Sequence, residues 1–283
     1  MKVSGFTFLR NGQLLDYPFI ASIQSLLPLV DEMIIALGPS TDATLEMLQG
    51  LAEPKIRVVR TNWCDNMRNQ GFLYGQQKMI AQYNCTGDWA FYLEADEVLH
   101  EKDIPAIRKV LQKHVDNPNV EALVFDYLHF YGSPGTYVQS HRWYPKEARV
   151  IKTSVRSTCP DNLWWDVFDE NGKTRYPKAA LANVPIYHYG WLRKLPPSEK
   201  RKLQKQIRQP KTSKPELAAL DPTVLLEFNG AHPKVVHNWL TLKGDRIYKI
   251  EPYIAGNKKE TLLSKVQEFL SSKTTPEHFE LVK

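Results

Sequence analysis

Three carboxylates, Glu94, Asp96 and Glu97, close the segment "FYLEADEV", directly after an apolar run that reads as core. In an extended chain successive side chains alternate, so Glu94 and Asp96 point to one side and Glu97 to the other unless the backbone turns there. Clustered acids beside a core repel one another and are costly to desolvate, and a cation or protons must relieve them. A hard divalent ion such as Mg²⁺ or Mn²⁺ suits such oxygens and usually completes its shell with substrate phosphates and water. The competing assignment is solvated loop acids or helix-start charges, because short acidic clusters are common.

The elements that must position these acids follow from the pattern around them. "KVSGFTF" (2–8), "EMIIAL" (32–37), "KIRVV" (55–59), "WAFYL" (89–93) and "VEALVFDYLHF" (120–130) read as strands. Stretches of helical period separate them, as in a mainly parallel α/β sheet flanked by helices. "WAFYL" is apolar at every position, as expected of a strand covered on both faces. Asp16 is expected to cap a first helix with Pro18 in its first turn, a second helix carries Leu45 and Leu48, another is expected from Gly75 to Tyr83, and a fourth starts at Asp103 followed by Pro105. In an open parallel sheet ligands bind beyond the carboxyl ends of the strands, which is where "EADE" falls. From about residue 131 aromatics, glycines and prolines become frequent, and Asn171-Gly172 predicts a type I′ hairpin turn. The expected organisation is a unit over 1–192, divided into 1–130 on the donor side and an irregular or antiparallel 131–192 on the acceptor side. A basic, partly helical extension occupies 193–283.

The 283 residues carry a net charge of +6, and no run of apolar residues is long enough for a membrane span or a signal peptide. A cytoplasmic protein is expected. Cys64, Cys85 and Cys159 are widely spaced and fit neither a disulfide framework nor a zinc site. The positive excess concentrates in Arg193 to Lys214, which reads first as a solvated helix face and second as a peripheral contact with an anionic membrane. The basic balance would also suit nucleic acid, but no recognisable nucleic-acid motif is present and no such partner is expected.

"STDAT" (40–44) and "TGDWAFYLEADEV" (86–98) together resemble the turn after the second strand and the "Gly-Asp-aromatic…Leu-x-Ala-Asp-acid" segment of family 2 glycosyltransferases with the GT-A fold. The resemblance covers roughly the first 190 residues. It implies transfer of a sugar from a nucleoside-diphosphate sugar to a glycan or lipid-linked acceptor, mostly with inversion and compatible with cell-surface glycan synthesis. Mn²⁺ or Mg²⁺ would bridge the diphosphate oxygens. Asp96 is then the main metal ligand, with Glu94, standing for the family's first Asp, on the ribose or a metal-bound water. His188 in "IYHYGW" is a second ligand, because some GT-A enzymes take a late His for the metal; a histidine packed in an aromatic cluster is the alternative.

For the donor, Arg10 and Asn11 follow the first strand, and Asp42 is the retained acid of the family turn or a helix cap. Asp65, Arg68 and Lys78 belong to or follow the loop after the third strand. The family's Asp-Asp-Gly-Ser is replaced by "ALGPSTDAT", which puts Leu37 and Gly38 where acids would stand and leaves the base open. Inversion needs a carboxylate to take the acceptor proton, and Asp166, between bulky aromatics, is the candidate; His129 and His232 are read as structural or surface residues. A nucleotidyltransferase would call for a glycine-rich basic loop after the first strand, which "LRNGQLLD" does not supply, and a non-catalytic sugar- or membrane-binding module would not require acids at the strand end.

Overall fold

The computed structural model describes residues 1–67, 71–139, 143–193, 224–242 and 278–282. Its centre is a mixed sheet whose parallel part is β3 (Ile56–Arg60), β2 (Glu32–Leu37), β1 (Val3–Leu9) and β4 (Trp89–Tyr92), in that spatial order. Beyond β4 the sheet continues antiparallel through β8 (Lys146–Lys152) to β6 (Ala122–Tyr131) and β7 (Thr136–Val138). The late part of the chain is thus built into the same sheet, with β8 inserted between β4 and β6. Every residue of β4 is buried because strands flank it on both edges and packed layers cover both faces.

Helices α1 (Phe19–Leu26), α2 (Thr44–Gln49), α3 (Phe72–Gln82) and α4 (Ile104–His114) provide the crossovers. Pro18 itself is the N-cap of α1 and Asp16 has a positive φ of 53°, so the helix starts later than the chemistry of Asp16 suggested. Helix α3 starts at Phe72, ahead of the expected Gly75, because Gly71 turns the chain with φ 77°. A Cβ on Gly71 would lie 2.4 Å from the Asp161 carbonyl oxygen, so the position demands glycine on both counts.

A two-residue strand β5 (Glu97–Val98) leaves the acidic turn and pairs antiparallel with the long β12 (Lys178–Trp191), which itself runs parallel to β6. A small separate sheet comprises β9 (Ser157–Thr158), β10 (Asp166–Phe168) and β11 (Thr174–Arg175). The hairpin at Asn171-Gly172 forms between β10 and β11, but only Gly172 has positive φ, at 77°, whereas a type I′ turn needs it at both central residues. Asp169 stitches the loop instead, its Oδ1 accepting from the amides of Asn171 (2.9 Å) and Lys173 (2.8 Å).

The later segment docks back on this body. β13 (Leu225–Glu227) adds to β7, and the short α5 (His237–Thr241) lies beside an aromatic cluster of Phe130, Tyr187, Tyr189 and Phe228. Near the end β14 (Glu280–Leu281) pairs with β12. Among the described residues no helix is long and apolar enough to cross a membrane. The basic stretch from Lys194 to Lys214 lies outside the described residues.

Candidate active site at the acidic turn

β4 ends at Tyr92 and the chain turns, with the Glu97 amide donating to the Glu94 carbonyl (3.1 Å) before β5 begins. The turn breaks the strand alternation and sends the three acids into different surroundings. Glu97 is fully buried and receives Arg149 of β8, whose Nη2 is 2.9 Å from Oε1 and Nε 3.1 Å from Oε2. The Tyr127 hydroxyl also donates to Oε1 (2.7 Å) and the Glu94 amide to Oε2 (2.9 Å). Burial alone would raise the Glu97 pKa; the Arg149 guanidinium outweighs it and holds the carboxyl below its ordinary value. Glu97 is therefore an internal counterion. Arg149 went unnoticed in the sequence reading, although a single Arg inside the apolar run "ARVI" already signals a buried acid partner.

Glu94 and Asp96 keep no such full partner. The Glu94 carboxylate, 24% exposed, is 3.5 Å from Arg149 Nη2. Its pKa is pushed up to about 8, by burial first and the Glu97 charge second. Asp96 is 6% exposed. Burial lifts its pKa to about 6 against the pull of Arg193. Its Oδ1 is buried without a hydrogen-bond partner and faces His188 Nε2 at 3.7 Å.

The tautomer of His188 follows from hydrogen-bond bookkeeping. His129 Nε2 lies 2.9 Å from the Tyr144 carbonyl oxygen, which can only accept, so that nitrogen carries the proton. Burial lowers the His129 pKa to about 3 and that of His188 to about 4, so both rings are neutral. The other His129 nitrogen, Nδ1, must then accept from His188 Nδ1 at 2.8 Å. His188 Nε2 is left as a bare lone pair pointing toward the orphaned Asp96 oxygen. Two acceptors facing one another are unfavourable until a cation lies between them. The space is kept open by Gly190, where a Cβ would come within 2.6 Å of Asp96 Oδ2 and 2.8 Å of His188 Nε2. An imidazole nitrogen and a carboxylate oxygen are a fitting donor pair for Mn²⁺ or Mg²⁺, with the remaining positions left to phosphate and water. Among the described residues no group of three or more His, Cys, Asp or Glu could hold an ion.

A second cation is fixed at this point. Arg193 Nε donates to the Gly190 carbonyl (2.9 Å) and lies 4.0 Å from Asp96 Oδ2, and the guanidinium stacks on the Tyr17 ring at 4.1 Å. Its Nη1 reaches the Leu15 carbonyl at 3.4 Å, which ties the end of β12 to the loop after β1.

That loop holds Arg10 and Asn11, and the loop after β2 holds Asp42. Asn11, at φ 52°, accepts from the Thr41 amide (2.8 Å) and gives its own amide to Ser40 Oγ (3.0 Å). Asp42 accepts from the Leu14 amide (2.7 Å) and the Thr44 amide (3.1 Å), so it locks the loops after β1 and β2 together at the start of α2. Arg10 donates to the Pro39 carbonyl (3.2 Å) and sits 5.3 Å from the centroid of Trp63. Gly38 carries that indole directly: a Cβ there would be 2.3 Å from Trp63 Nε1, so the acid absent from this position is replaced in space by Trp63, which packs with Phe8 and Tyr74.

Four predicted residues, Lys78, Asp166, Asp65 and Arg68, belong to neither of these loops. Lys78 is fully buried, its ammonium 3.9 Å from the Trp165 ring and 4.4 Å from that of Tyr92, donating to the Asn162 carbonyl at 3.2 Å. It is enclosed in the core behind the acids and offers no surface to a diphosphate. Asp166 lies on β10, where burial raises its pKa and Trp164 and His278 are the groups that act on it; Asp96 instead feels Arg193, Glu97 and Arg149. Asp65 opens a single 3₁₀ turn, Asp65–Met67, and Arg68 lies outside the described residues.

An α/β sheet with an acid pair, a lone-pair imidazole and the tied loops after β1 and β2 has a counterpart among known families. The family model described as glycosyl transferase family 2 matches residues 17–169, and the chain belongs to that family. No curated protein matches. Among solved structures the chain is similar to TarS (1–349) of S. aureus, with 13% identity over 54% of this chain and 48% of that one at a TM-score of 0.37. It is also similar to glucosyl-3-phosphoglycerate synthase of Mycobacterium tuberculosis, crystallised with Mn²⁺, UDP-glucose and glycerol 3-phosphate, with 19% identity over 44% of each chain and a TM-score of 0.31. Mannosyl-3-phosphoglycerate synthase of Rubrobacter xylanophilus shares 21% identity over 46% of this chain and 41% of that one, at a TM-score of 0.31. The chain thus spans less than half the length of these proteins.

Proposed function

We propose that the protein transfers a sugar from a nucleoside-diphosphate sugar to an acceptor hydroxyl, with a divalent cation held by Asp96 and His188. The observation that carries the reading is the bare His188 Nε2 facing the unpartnered Asp96 Oδ1 across 3.7 Å, with Gly190 keeping the gap open. When bound, Mn²⁺ or Mg²⁺ would act as a Lewis acid on the diphosphate leaving group. The His129–His188 relay orients the imidazole, fixes its tautomer and keeps Nε2 available. Glu94, partly exposed at the strand end and subject to the Asp96 charge, is the candidate for the donor's ribose. The indole of Trp63 and the side chain of Arg10 form the wall beyond β1 and β2 against which a nucleoside would stack.

On the acceptor side Trp191 is 40% exposed and packs edge-on to Trp143 at 4.7 Å, which in turn touches His129 at 5.1 Å. These rings offer a sugar-stacking surface next to the proposed cation position. Transfer with inversion needs a general base, and Asp166, whose pKa is raised by burial, is the candidate the sequence supplies. Cytoplasmic residence and a peripheral membrane contact through Lys194 to Lys214 belong to the same proposal.

The test combines thermal shift with UDP-sugars and calorimetric Mn²⁺ binding, because a ligand of the native state raises apparent stability by mass action. Asp96→Asn should abolish Mn²⁺ binding and the Mn²⁺-dependent shift, whereas Asp166→Asn should keep donor binding and lose transfer. Undiminished Mn²⁺ binding by Asp96→Asn rules out the assignment.

A further inference from the structure

The polarity of the His188 ring is decided by a short stretch on the acceptor side. Trp143 lies edge-on to Trp191 at 4.7 Å, and its ring also meets His129 at 5.1 Å. The next residue, Tyr144, sets its own ring against His129 at 4.9 Å and accepts the His129 Nε2 proton at its carbonyl oxygen, 2.9 Å away. Beyond Tyr144 the chain is held by the Tyr127 amide, which donates to the Pro145 carbonyl (2.9 Å), and by β8. The Tyr144 carbonyl is thus fixed by a strand on one side and by the packing of Trp143 on the other.

That carbonyl chooses between two arrangements of the histidine pair that hold the same number of protons. In the one present, His129 Nε2–H points to Tyr144 and His188 Nδ1–H points to His129 Nδ1 (2.8 Å), which leaves His188 Nε2 bare. In the inverted one, His129 carries its proton on Nδ1 and donates to His188 Nδ1. The His188 proton then sits on Nε2 and points at Asp96 Oδ1, 3.7 Å away. Inversion would offer the orphaned Asp96 oxygen a donor and close the gap to a cation. The Tyr144 carbonyl opposes it, because that oxygen would then face the bare Nε2 of a buried His129, two acceptors with no proton between them. Resting on the proposed metal assignment, we propose that Trp143 is a positioning residue: by holding the Tyr144 carbonyl on His129 it keeps His188 Nε2 free for the cation, so the ring surface on the acceptor side sets the cation affinity. Outer partners of a metal-bound imidazole orient it and fix its tautomer, and here the outer partner is itself held by Trp143. The same indole backs the exposed Trp191, so an acceptor sugar stacked on that ring and the cation share one support.

The experiment measures Mn²⁺ binding to the full chain by calorimetry, with melting in chelator as the control for folding. The variants are His188→Ala, His129→Phe, His129→Gln, Trp143→Leu, and Trp143→Leu combined with His129→Phe. His129→Phe should weaken Mn²⁺ binding about tenfold or more, as removal of an outer partner of a ligand does. His129→Gln keeps one donor and one acceptor and should recover most of that loss. Trp143→Leu deletes no ligand and should weaken binding roughly threefold, less than His129→Phe because it acts through His129. The double variant should bind no more weakly than His129→Phe alone, since two changes acting through one residue do not add. Wild-type affinity in Trp143→Leu, or a Trp143→Leu effect of equal size with and without His129, overturns the positioning role while leaving the metal site standing. If His188→Ala binds Mn²⁺ like the wild type, the metal assignment itself fails and the positioning role falls with it. A merely structural Trp143 would lower the melting temperature and leave the Mn²⁺ affinity unchanged.

Discussion

Glu97→Gln removes one charge from a pair in which both partners are fully buried, and the distances define what is lost. Arg149 gives Nη2 to Oε1 at 2.9 Å and Nε to Oε2 at 3.1 Å, while Tyr127 and the Glu94 amide occupy the remaining acceptor positions. Glutamine offers one acceptor oxygen where four donors need two. With the amide oxygen toward Tyr127 and Arg149, its NH₂ meets the Glu94 N–H, donor against donor; flipped, it meets the guanidinium. Arg149 remains a buried cation with only the partly exposed Glu94 for charge balance, 3.5 Å away. Breaking a buried pair from one side costs about 3–5 kcal/mol. That is a large part of the roughly 5–15 kcal/mol that holds a domain folded. Urea titration followed by circular dichroism and tryptophan emission, in chelator so that metal does not contribute, should show the midpoint fall at unchanged slope. The melting temperature should drop by about 10 °C. Glu97→Leu combined with Arg149→Met should recover much of the loss, since an apolar replacement of both partners leaves no buried charge. A loss below about 1 kcal/mol in Glu97→Gln, or a double variant no better than the single one, would refute the argument that the pair is a desolvated unit.

Two further outcomes follow from the same geometry. Glu94 has a folded pKa of about 8, above its unfolded value, so the native state retains a proton that the unfolded chain has released, and stability without metal should fall as pH rises from about 6.5 to 8. Denaturant titrations across that range should show the decline in the wild type and a flatter profile in Glu94→Gln; an identical slope in both sinks the assignment. Below pH 6.5 the decline levels off, because the protons the unfolded chain takes up at His129 and His188, whose folded values are about 3 and 4, offset those the fold keeps on Glu94 and Asp96. Gly190→Ala puts a methyl group within 2.6 Å of Asp96 Oδ2 and 2.8 Å of His188 Nε2, so it should weaken Mn²⁺ binding more than tenfold without deleting a ligand. Calorimetry reads the effect directly, and wild-type affinity in Gly190→Ala would show that the gap is not the cation position.

The parallel half of the sheet was legible because its signals are local. Apolar runs of four to seven residues bounded by turn residues locate β1 to β4 within a residue or two, and the acids after β4 fall at the carboxyl edge where connectivity puts a ligand. What could not be read depends on contacts across long stretches of chain. Lys78 looks like a helix-surface cation until Trp165, 87 positions later in sequence, closes over it. Gly38 looks like a loss of function until Trp63 is seen lying against it. His188 is one of several histidines in the sequence; only the chain from the Tyr144 carbonyl through His129 decides that its Nε2 is bare.

The division of labour among the three acids follows from where the chain leaves the sheet. β4 is bordered by β1 in parallel and β8 in antiparallel orientation, so Arg149 on β8 lies beside the strand end at a level fixed by the Phe91–Val150 register. The turn after Tyr92 then decides which carboxylate meets it, and the β5–β12 pairing, with Glu97 opposite His188, selects Glu97. The same pairing makes the Tyr189 amide donate to the Asp96 carbonyl at 2.8 Å, which sets the Asp96 side chain between His188 and Arg193. Without Arg149 three acids would crowd one edge and raise one another's pKa values, and at neutral pH the edge would hold protons in place of a metal ion. Because Arg149 neutralises Glu97 inside the core, the negative charge that reaches the opening belongs mainly to Asp96. A buried pair that contributes little net stability can thus determine which oxygen is offered to a cation.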